Sequence, residues 1–141
     1  MKALLSTASG GPSTLIVGNL PDPVPGRGQV VIDVKACAVN FPDSLIIEDR
    51  YQFRPARPFS PGAEVAGVVS LVGEGVSSWK PGDRVIGVSL AGGMAEKMLI
   101  GEGDLVVILV AVAELVGSHR GIGKPRLDIH YGLSICRRRF R

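Results

Sequence analysis

Glycine and proline interrupt this chain throughout, with 19 Gly and 10 Pro among 141 residues. Glycine lacks the Cβ atom that restrains other residues, and proline lacks the backbone N–H that a helix interior needs. Such a density of breakers excludes a helical bundle or a coiled coil and favours short strands joined by turns. The length fits one domain, and the 45% of apolar residues is enough for a hydrophobic core.

Seven segments have the length and composition of strands. In Gln29–Val39, apolar side chains at positions 32, 34 and 36 alternate with charged ones at 33 and 35, which is the period of a half-buried strand. Glu64–Val72 is apolar and β-branched, as in a buried strand, and its Gly67 indicates a bulge or a close backbone approach. The other predicted strands are Lys2–Ser6, Thr14–Val17, Arg84–Ser89, Met94–Ile100 and Asp104–Ile108.

One short helix is predicted between the third and fourth of these strands. Asn40 is a favourable N-cap and Pro42 is tolerated in a first helical turn, so the helix is placed at Asp43–Glu48. Many short strands at close spacing predict a fold that is mainly β with short helices, arranged as a small β-barrel or sandwich.

The cysteine count and the apolar runs exclude several classes of protein. Cys37 and Cys136 are too few for a disulfide framework, or for a zinc site on their own. The apolar run at the N-terminus is too short for a signal peptide, so a cytoplasmic location is expected. The apolar stretch Leu105–Val116 is too short to cross a bilayer, so no membrane partner is expected.

Charge is unevenly distributed along the chain. Residues 120–141 carry seven basic side chains and one acidic one, whereas residues 1–119 carry nine basic and twelve acidic ones. The net charge of +3 therefore belongs to the C-terminal tail, which ends in a cluster at residues 137–141. Basic clusters attract phosphates, but no recognisable nucleic-acid-binding fold or aromatic platform accompanies this one, so nucleic acid is not an expected partner.

Four runs, in a fixed order and spacing, resemble one known family. They are Val39–Asp43, Pro58–Val69, Val72–Val76 and Trp79–Val85. Together they resemble the N-terminal, GroES-like domain of the medium-chain dehydrogenase/reductase superfamily, and within it the zinc-free quinone oxidoreductase branch. The resemblance extends more loosely from Met1 to about Ile108.

The resemblance implies a fold and an activity. Residues 1–108 are expected to form a GroES-like β-barrel of the kind found in the N-terminal domain of alcohol dehydrogenases. The family transfers a hydride from NADPH to a quinone or an enone, and its full-length members are expected to be homodimers. The choice between NADPH and NADH and the preferred substrate remain open.

The resemblance also implies site residues. Asn40 and Asp43 are the candidate catalytic residues, and Asn40 and Tyr51 are the candidate substrate-binding residues. Asn40 is expected to donate a hydrogen bond to a substrate carbonyl or to cap the helix, and the two roles are compatible. Tyr51 either contacts the substrate ring or is a surface aromatic. Asp43 either lines the cleft or simply stabilises the first helical turn.

The same resemblance implies that the chain has no zinc site. In the zinc-dependent relatives a histidine two residues after a proline binds the metal, and Ala63 occupies that position here. No histidine follows Cys37 in its segment, because His119 and His130 both lie in the tail. The four closely spaced cysteines of the relatives' structural zinc lobe are missing as well. Cys37 is therefore predicted to be a small buried side chain.

The family needs a Rossmann domain for its dinucleotide, and the sequence shows no signature of one. Gly-x-Gly runs begin at Gly73, Gly101 and Gly121, and each lacks the third glycine or the strand–turn–helix setting of a phosphate-binding turn. Residues 109–141 are expected to be a divergent basic tail, the product of a shifted reading frame or of truncation. The chain is expected to bind no cofactor and to be inactive alone.

A second function, from a different class, also fits the sequence. The chain would then be a non-catalytic GroES-like binding module whose basic tail contacts anionic partners. Salt-sensitive polyanion binding that is lost when residues 120–141 are deleted favours the module. Quinone-analogue binding that survives the same deletion favours the oxidoreductase.

Overall fold

A computed structural model of the chain describes residues 1–107. The boundary predicted at residue 108 and the basic tail of residues 109–141 lie outside the described residues. The strands are β1 (Lys2–Leu5), β2 (Ile16–Asn19), β3 (Gln29–Cys37), β4 (Glu64–Val72), β5 (Arg84–Val88), β6 (Lys97–Gly101) and β7 (Leu105–Val107). One α-helix, α1 (Phe41–Ile47), and two 3₁₀ turns, Pro12–Thr14 and Glu102–Asp104, complete the described elements.

The strands form two antiparallel sheets. Five of them make one sheet in the order β6-β3-β4-β5-β7, and β1 pairs with β2 in the other. The two sheets are joined where the Leu4 N–H donates to the Met94 carbonyl at 2.8 Å and Ala3 forms a bridge with Ala95. The predicted fold class, mainly β with short helices, is confirmed. No helix among residues 1–107 is long and apolar enough to span a membrane.

The predicted elements are present with shifted ends. The strand predicted at Glu64–Val72 has the predicted limits. The one predicted at Thr14–Val17 is displaced to Ile16–Asn19, because Pro12–Thr14 form a 3₁₀ turn. The strand predicted from Met94 begins only at Lys97, because the preceding residues bond to β1. The helix begins at Phe41, directly after its Asn40 cap.

The main core lies against one face of the five-stranded sheet. Its buried members are Val30, Ile32, Val65, Val69, Val85, Met98, Ile100 and Leu105. Gly67 of β4 lies where β3 crosses it most closely, beside a register irregularity between Val34 and Ala36. A Cβ atom at Gly67 would overlap the Asp33 carbonyl oxygen and the Ile32 side chain. The close backbone approach predicted at Gly67 is thus confirmed.

A second, smaller cluster packs α1 against the loop that follows it. Ile46, Ile47 and Phe59 are its buried members. Arg57 fastens this cluster, because its Nη2 donates to the Ile47 carbonyl at 2.9 Å and its Nε donates to Ser6 Oγ at 3.3 Å. The Ser6 residue is fully buried, so the guanidinium satisfies a polar group that water does not reach.

We expect Arg57→Lys to destabilise the fold although it preserves the charge. An ammonium group does not reproduce the planar fork that reaches two acceptors in different directions. Losing one or both bonds costs about 2 kcal/mol, which lowers the melting temperature of a domain of this size by roughly 8 °C. Arg54→Lys is the matched control, since Arg54 is exposed and makes a single bond of 3.5 Å. Equal melting temperatures for the two variants would contradict the role assigned to Arg57.

Candidate functional site

The site begins where β3 ends and α1 starts. Asn40 is the N-cap residue, with extended backbone angles, and its carbonyl accepts the Asp43 N–H at 3.0 Å. The Asp43 carboxylate reaches back to the Asn40 N–H, with Oδ2 2.8 Å from the nitrogen. Asn–Phe–Pro–Asp folds this way because the cap satisfies helix N–H groups that have no partner inside the helix. Asn40 and Asp43, both predicted site residues, are therefore brought together.

The side chain of Asn40 can still donate hydrogen bonds while the residue caps α1. Its side chain is half-buried, so a ligand at the surface can reach it. A capping asparagine uses only its side-chain oxygen as an acceptor, which leaves the two Nδ2 protons as donors. The cap and the substrate donor, the two roles considered for Asn40, are therefore compatible in this geometry.

Asp43 also contacts a segment that is distant in the sequence. The side chain is 4% exposed, and its Oδ1 accepts the Gly62 N–H at 3.2 Å. The Gly62 backbone has φ +98°, a conformation that favours glycine, and a Cβ atom there would lie 2.6 Å from Cys37 Sγ. Gly62 is the functional residue that sequence reasoning missed as a partner of Asp43. No local pattern signals a contact across 19 residues.

Tyr51 lies apart from these two residues. Its half-buried ring packs against the cluster of Ile46, Ile47 and Phe59, beyond the C-terminal end of α1. Four residues of α1 follow Asp43 before the helix ends at Ile47, a rise of about 6 Å along the helix axis. Within residues 1–107, no recorded hydrogen bond joins Tyr51 to Asn40 or Asp43. The role of Tyr51 in binding substrate stays a prediction.

An open cavity lies next to the site and is not centred on it. It has a volume of about 520 Å³ and lies between β1, β2, β3 and the segment before β6. Its walls include Leu15, Val17, Val34 and Met94, and it reaches Val39, the residue before Asn40. None of the three predicted site residues lines it. The cavity by itself therefore does not identify the substrate side of the site.

Cys37, the last residue of β3, has a thiol whose pKa is raised by its surroundings. Its side chain packs against the main core, as predicted, but it is only half-buried and also lines the cavity. Burial raises the pKa of Cys37 to about 12, and the negative charges of Asp43 and Glu64 act in the same direction. At neutral pH the thiolate that would act as a nucleophile or a metal ligand is therefore almost unpopulated.

The described residues do not fit a zinc ion. A zinc site needs three or four imidazole, thiolate or carboxylate ligands that converge. Residues 1–107 contain no group of three such side chains placed to hold a metal ion. Ala63 occupies the position of the relatives' histidine.

We expect Cys37 to resist alkylation in the folded chain. A thiol with a pKa of about 12 has roughly a thousandfold less thiolate at pH 8 than an ordinary cysteine. Iodoacetamide at pH 8, followed by peptide mapping, should leave Cys37 unmodified until the chain is unfolded in guanidinium chloride. Rapid carbamidomethylation of the Cys37 peptide under native conditions would contradict the raised pKa of this thiol.

The described residues do not fit a dinucleotide either. All strand pairings within residues 1–107 are antiparallel. Dinucleotide-binding folds place the pyrophosphate between a parallel strand and the N-terminus of the helix that follows it. The single described α-helix follows a strand of an antiparallel sheet, and its first turn is occupied by the Asp43 carboxylate. Residues 1–107 therefore lack the parallel strand and helix start that hold a pyrophosphate in such folds.

Comparison with known proteins identifies the family of this fold. Residues 26–123 match the alcohol dehydrogenase GroES-like domain. The chain belongs to that family. The GroES-like domain places it in the medium-chain dehydrogenase/reductase superfamily, which confirms the resemblance seen in the sequence. The match extends past residue 108, and the boundary predicted there stays a prediction.

The most similar proteins of the GroES-like family include quinone oxidoreductases. The quinone oxidoreductase of Sus scrofa is 42% identical over 111 residues, which are 77% of this chain and 33% of that protein. The solved quinone oxidoreductase of Pseudomonas syringae is 33% identical with a TM-score of 0.74, covering 78% of this chain and 34% of that one. The Escherichia coli quinone oxidoreductase, solved in complex with NADPH, is 28% identical with a TM-score of 0.74, covering 79% and 34%. The chain spans about a third of the length of these relatives.

Proposed function

We propose that residues 1–107 form the substrate-side half of an NADPH-dependent quinone oxidoreductase. The observation that carries the proposal is the paired Asn40 and Asp43 at the start of α1, on a domain whose relatives include quinone oxidoreductases. The buried Asp43 carboxylate holds the Asn40 backbone N–H, and this fixes the residue whose half-buried side-chain amide is the proposed donor. The substrate is a quinone or an enone, as the resemblance implies.

The chemistry proposed for this half is stabilisation of charge on the substrate. Reduction of a quinone to a hydroquinone takes up one hydride and one proton, and a reduced nicotinamide supplies the hydride when it is bound outside residues 1–107. Negative charge develops on the carbonyl oxygen, and Nδ2 of Asn40 donates a hydrogen bond to that oxygen. Both Asp43 oxygens already accept backbone N–H groups, so the proton is assigned to water.

Quinone binding by the 141-residue chain tests this assignment. Duroquinone is the probe, because its fully substituted ring resists addition of thiols. Titration should shift the Asn40 side-chain amide resonances, and Asn40→Ala should weaken binding about tenfold, the value of one good hydrogen bond. Asn19→Ala is the control, since Asn19 lies at the end of β2, away from α1. Unchanged amide resonances at saturating duroquinone would contradict the proposed function, whereas heparin binding that depends on residues 120–141 would favour the non-catalytic module.

A further inference from the structure

The carboxylate of Asp43 is buried, and both of its oxygens are used as hydrogen-bond acceptors. Each of its two oxygens accepts one backbone N–H, from Asn40 at 2.8 Å and from Gly62 at 3.2 Å. The Asn40 N–H lies just before α1, whereas the Gly62 N–H lies at the far end of the loop that follows α1, just before β4. With 4% of the residue exposed, water does not compete for either bond.

The chemistry of this position requires a carboxylate. A carboxylate only accepts hydrogen bonds and has two equivalent oxygens, whereas the amide of Asn has one oxygen and an NH₂ group. Asp43→Asn would therefore direct N–H protons at the N–H of Asn40 or of Gly62. A buried donor without an acceptor is unfavourable, so the segment that carries it would move away.

The surroundings of Gly62 prevent that segment from adjusting freely. An atom added at Gly62 would lie 2.6 Å from Cys37 Sγ and 2.9 Å from the Met94 nitrogen. The Gly62 carbonyl is also held, because it accepts the Gly93 N–H at 2.9 Å. The segment around Gly62 is thus the fixed side of the contact, and the Asn40 turn is the side that moves when the carboxylate is lost.

We infer that Asp43 is a positioning residue, whose carboxylate aligns the Asn40 amide with the substrate by tying the α1 cap to the fixed Gly62 segment. The inference rests on the proposed function, since it specifies how Asn40 is aimed at a quinone carbonyl. Asp43 touches neither substrate nor cofactor in this account. A displaced donor loses most of its effect, because hydrogen bonds weaken steeply with distance and angle.

The geometry is tested first, without any variant or ligand. In the isotope-labelled 141-residue chain, scalar couplings across hydrogen bonds should connect the amide nitrogens of Asn40 and Gly62 to the Asp43 Cγ carbon. In Asp43→Asn, which keeps one acceptor oxygen, hydrogen exchange should accelerate at the Asn40 amide, on the side that moves, by more than at the Gly62 amide. Asp83→Asn is the matched control, because Asp83 accepts the Lys80 N–H at 2.9 Å in a distant turn. Coupling to only one amide, or to neither, would overturn the inference whatever the chain binds.

The link to Asn40 is tested by a double-mutant cycle on duroquinone binding. Asp43→Asn should weaken binding by about fivefold when Asn40 is present, and by less than about twofold in the Asn40→Ala background. A general loss of structure would weaken binding equally in both backgrounds, and that result would overturn the inference. If the wild-type chain binds no duroquinone, the proposed function fails, while the couplings still decide whether Asp43 holds both amides.

Discussion

A chimera in which residues 1–107 replace the matching segment of the Sus scrofa quinone oxidoreductase should oxidise NADPH with duroquinone. The 141-residue chain by itself should not exceed the rate measured without protein. The two segments are 42% identical over 111 residues, so the replacement keeps much of the surface that meets the rest of the relative. The chimera supplies the cofactor side that residues 1–107 do not provide. The difference in NADPH oxidation is expected to be large, because the chimera has a hydride donor beside the substrate and the 141-residue chain has none.

The same chimera measures the contribution of Asn40. Removing one donor to a developing oxyanion lowers the turnover number by about a hundredfold or more. Asn40→Ala should therefore reduce kcat by that factor, whereas Asn19→Ala should leave kcat within about twofold of the parent chimera. A chimera with full activity after Asn40→Ala would contradict the assigned role, and a chimera that folds but never oxidises NADPH would contradict the assignment of residues 1–107.

Gly67→Ala should strongly destabilise the fold. The new Cβ atom would overlap the Asp33 carbonyl oxygen and the Ile32 side chain, in the middle of the five-stranded sheet. Relief requires β3 and β4 to move apart, and overpacking of this kind costs about 3 kcal/mol. For a domain of this size the melting temperature should fall by at least about 12 °C in a thermal melt followed by circular dichroism.

The control for this change is Gly103→Ala. A Cβ atom at Gly103 meets no heavy atom within 4 Å, and the position is exposed. The added methyl group should therefore change the melting temperature by no more than about 2 °C. If Gly67→Ala melted within the same margin, the close crossing of β3 and β4 would be wrong, and with it the placement of the Asp43 and Gly62 segments.

Local patterns predicted the strands that carry the core. Alternation in β3 and β-branched content in β4 located the two central strands. The prediction that β3 is half-buried was wrong for its first half, because Val30, Val31 and Ile32 are buried in succession and both faces are covered there. The position of α1 followed from Asn40 and Pro42, whose preferences at a helix start are local. The resemblance then supplied the GroES-like fold and the candidate residues.

Contacts between distant segments were beyond such reasoning. The backbone groups of Met94 to Glu96 are divided between β1 and other segments, since the Met94 N–H donates to the Pro61 carbonyl. The predicted strand therefore starts three residues late. The sheet order places β6 beside β3, and no single segment contains that information. The double role of Asp43 depends on Gly62 in the same way. The sequence therefore pointed to Asn40 and Asp43 but not to the geometry that connects them.

The central claim is that this chain holds the quinone side of a site whose nicotinamide side lies elsewhere. Two titrations of the same purified 141-residue chain test it most directly, one with duroquinone followed by the Asn40 amide resonances and one with NADPH followed by nicotinamide fluorescence. The account predicts saturable shifts with duroquinone and no enhancement of NADPH fluorescence at any concentration. Saturable enhancement of NADPH fluorescence by this chain alone would contradict it.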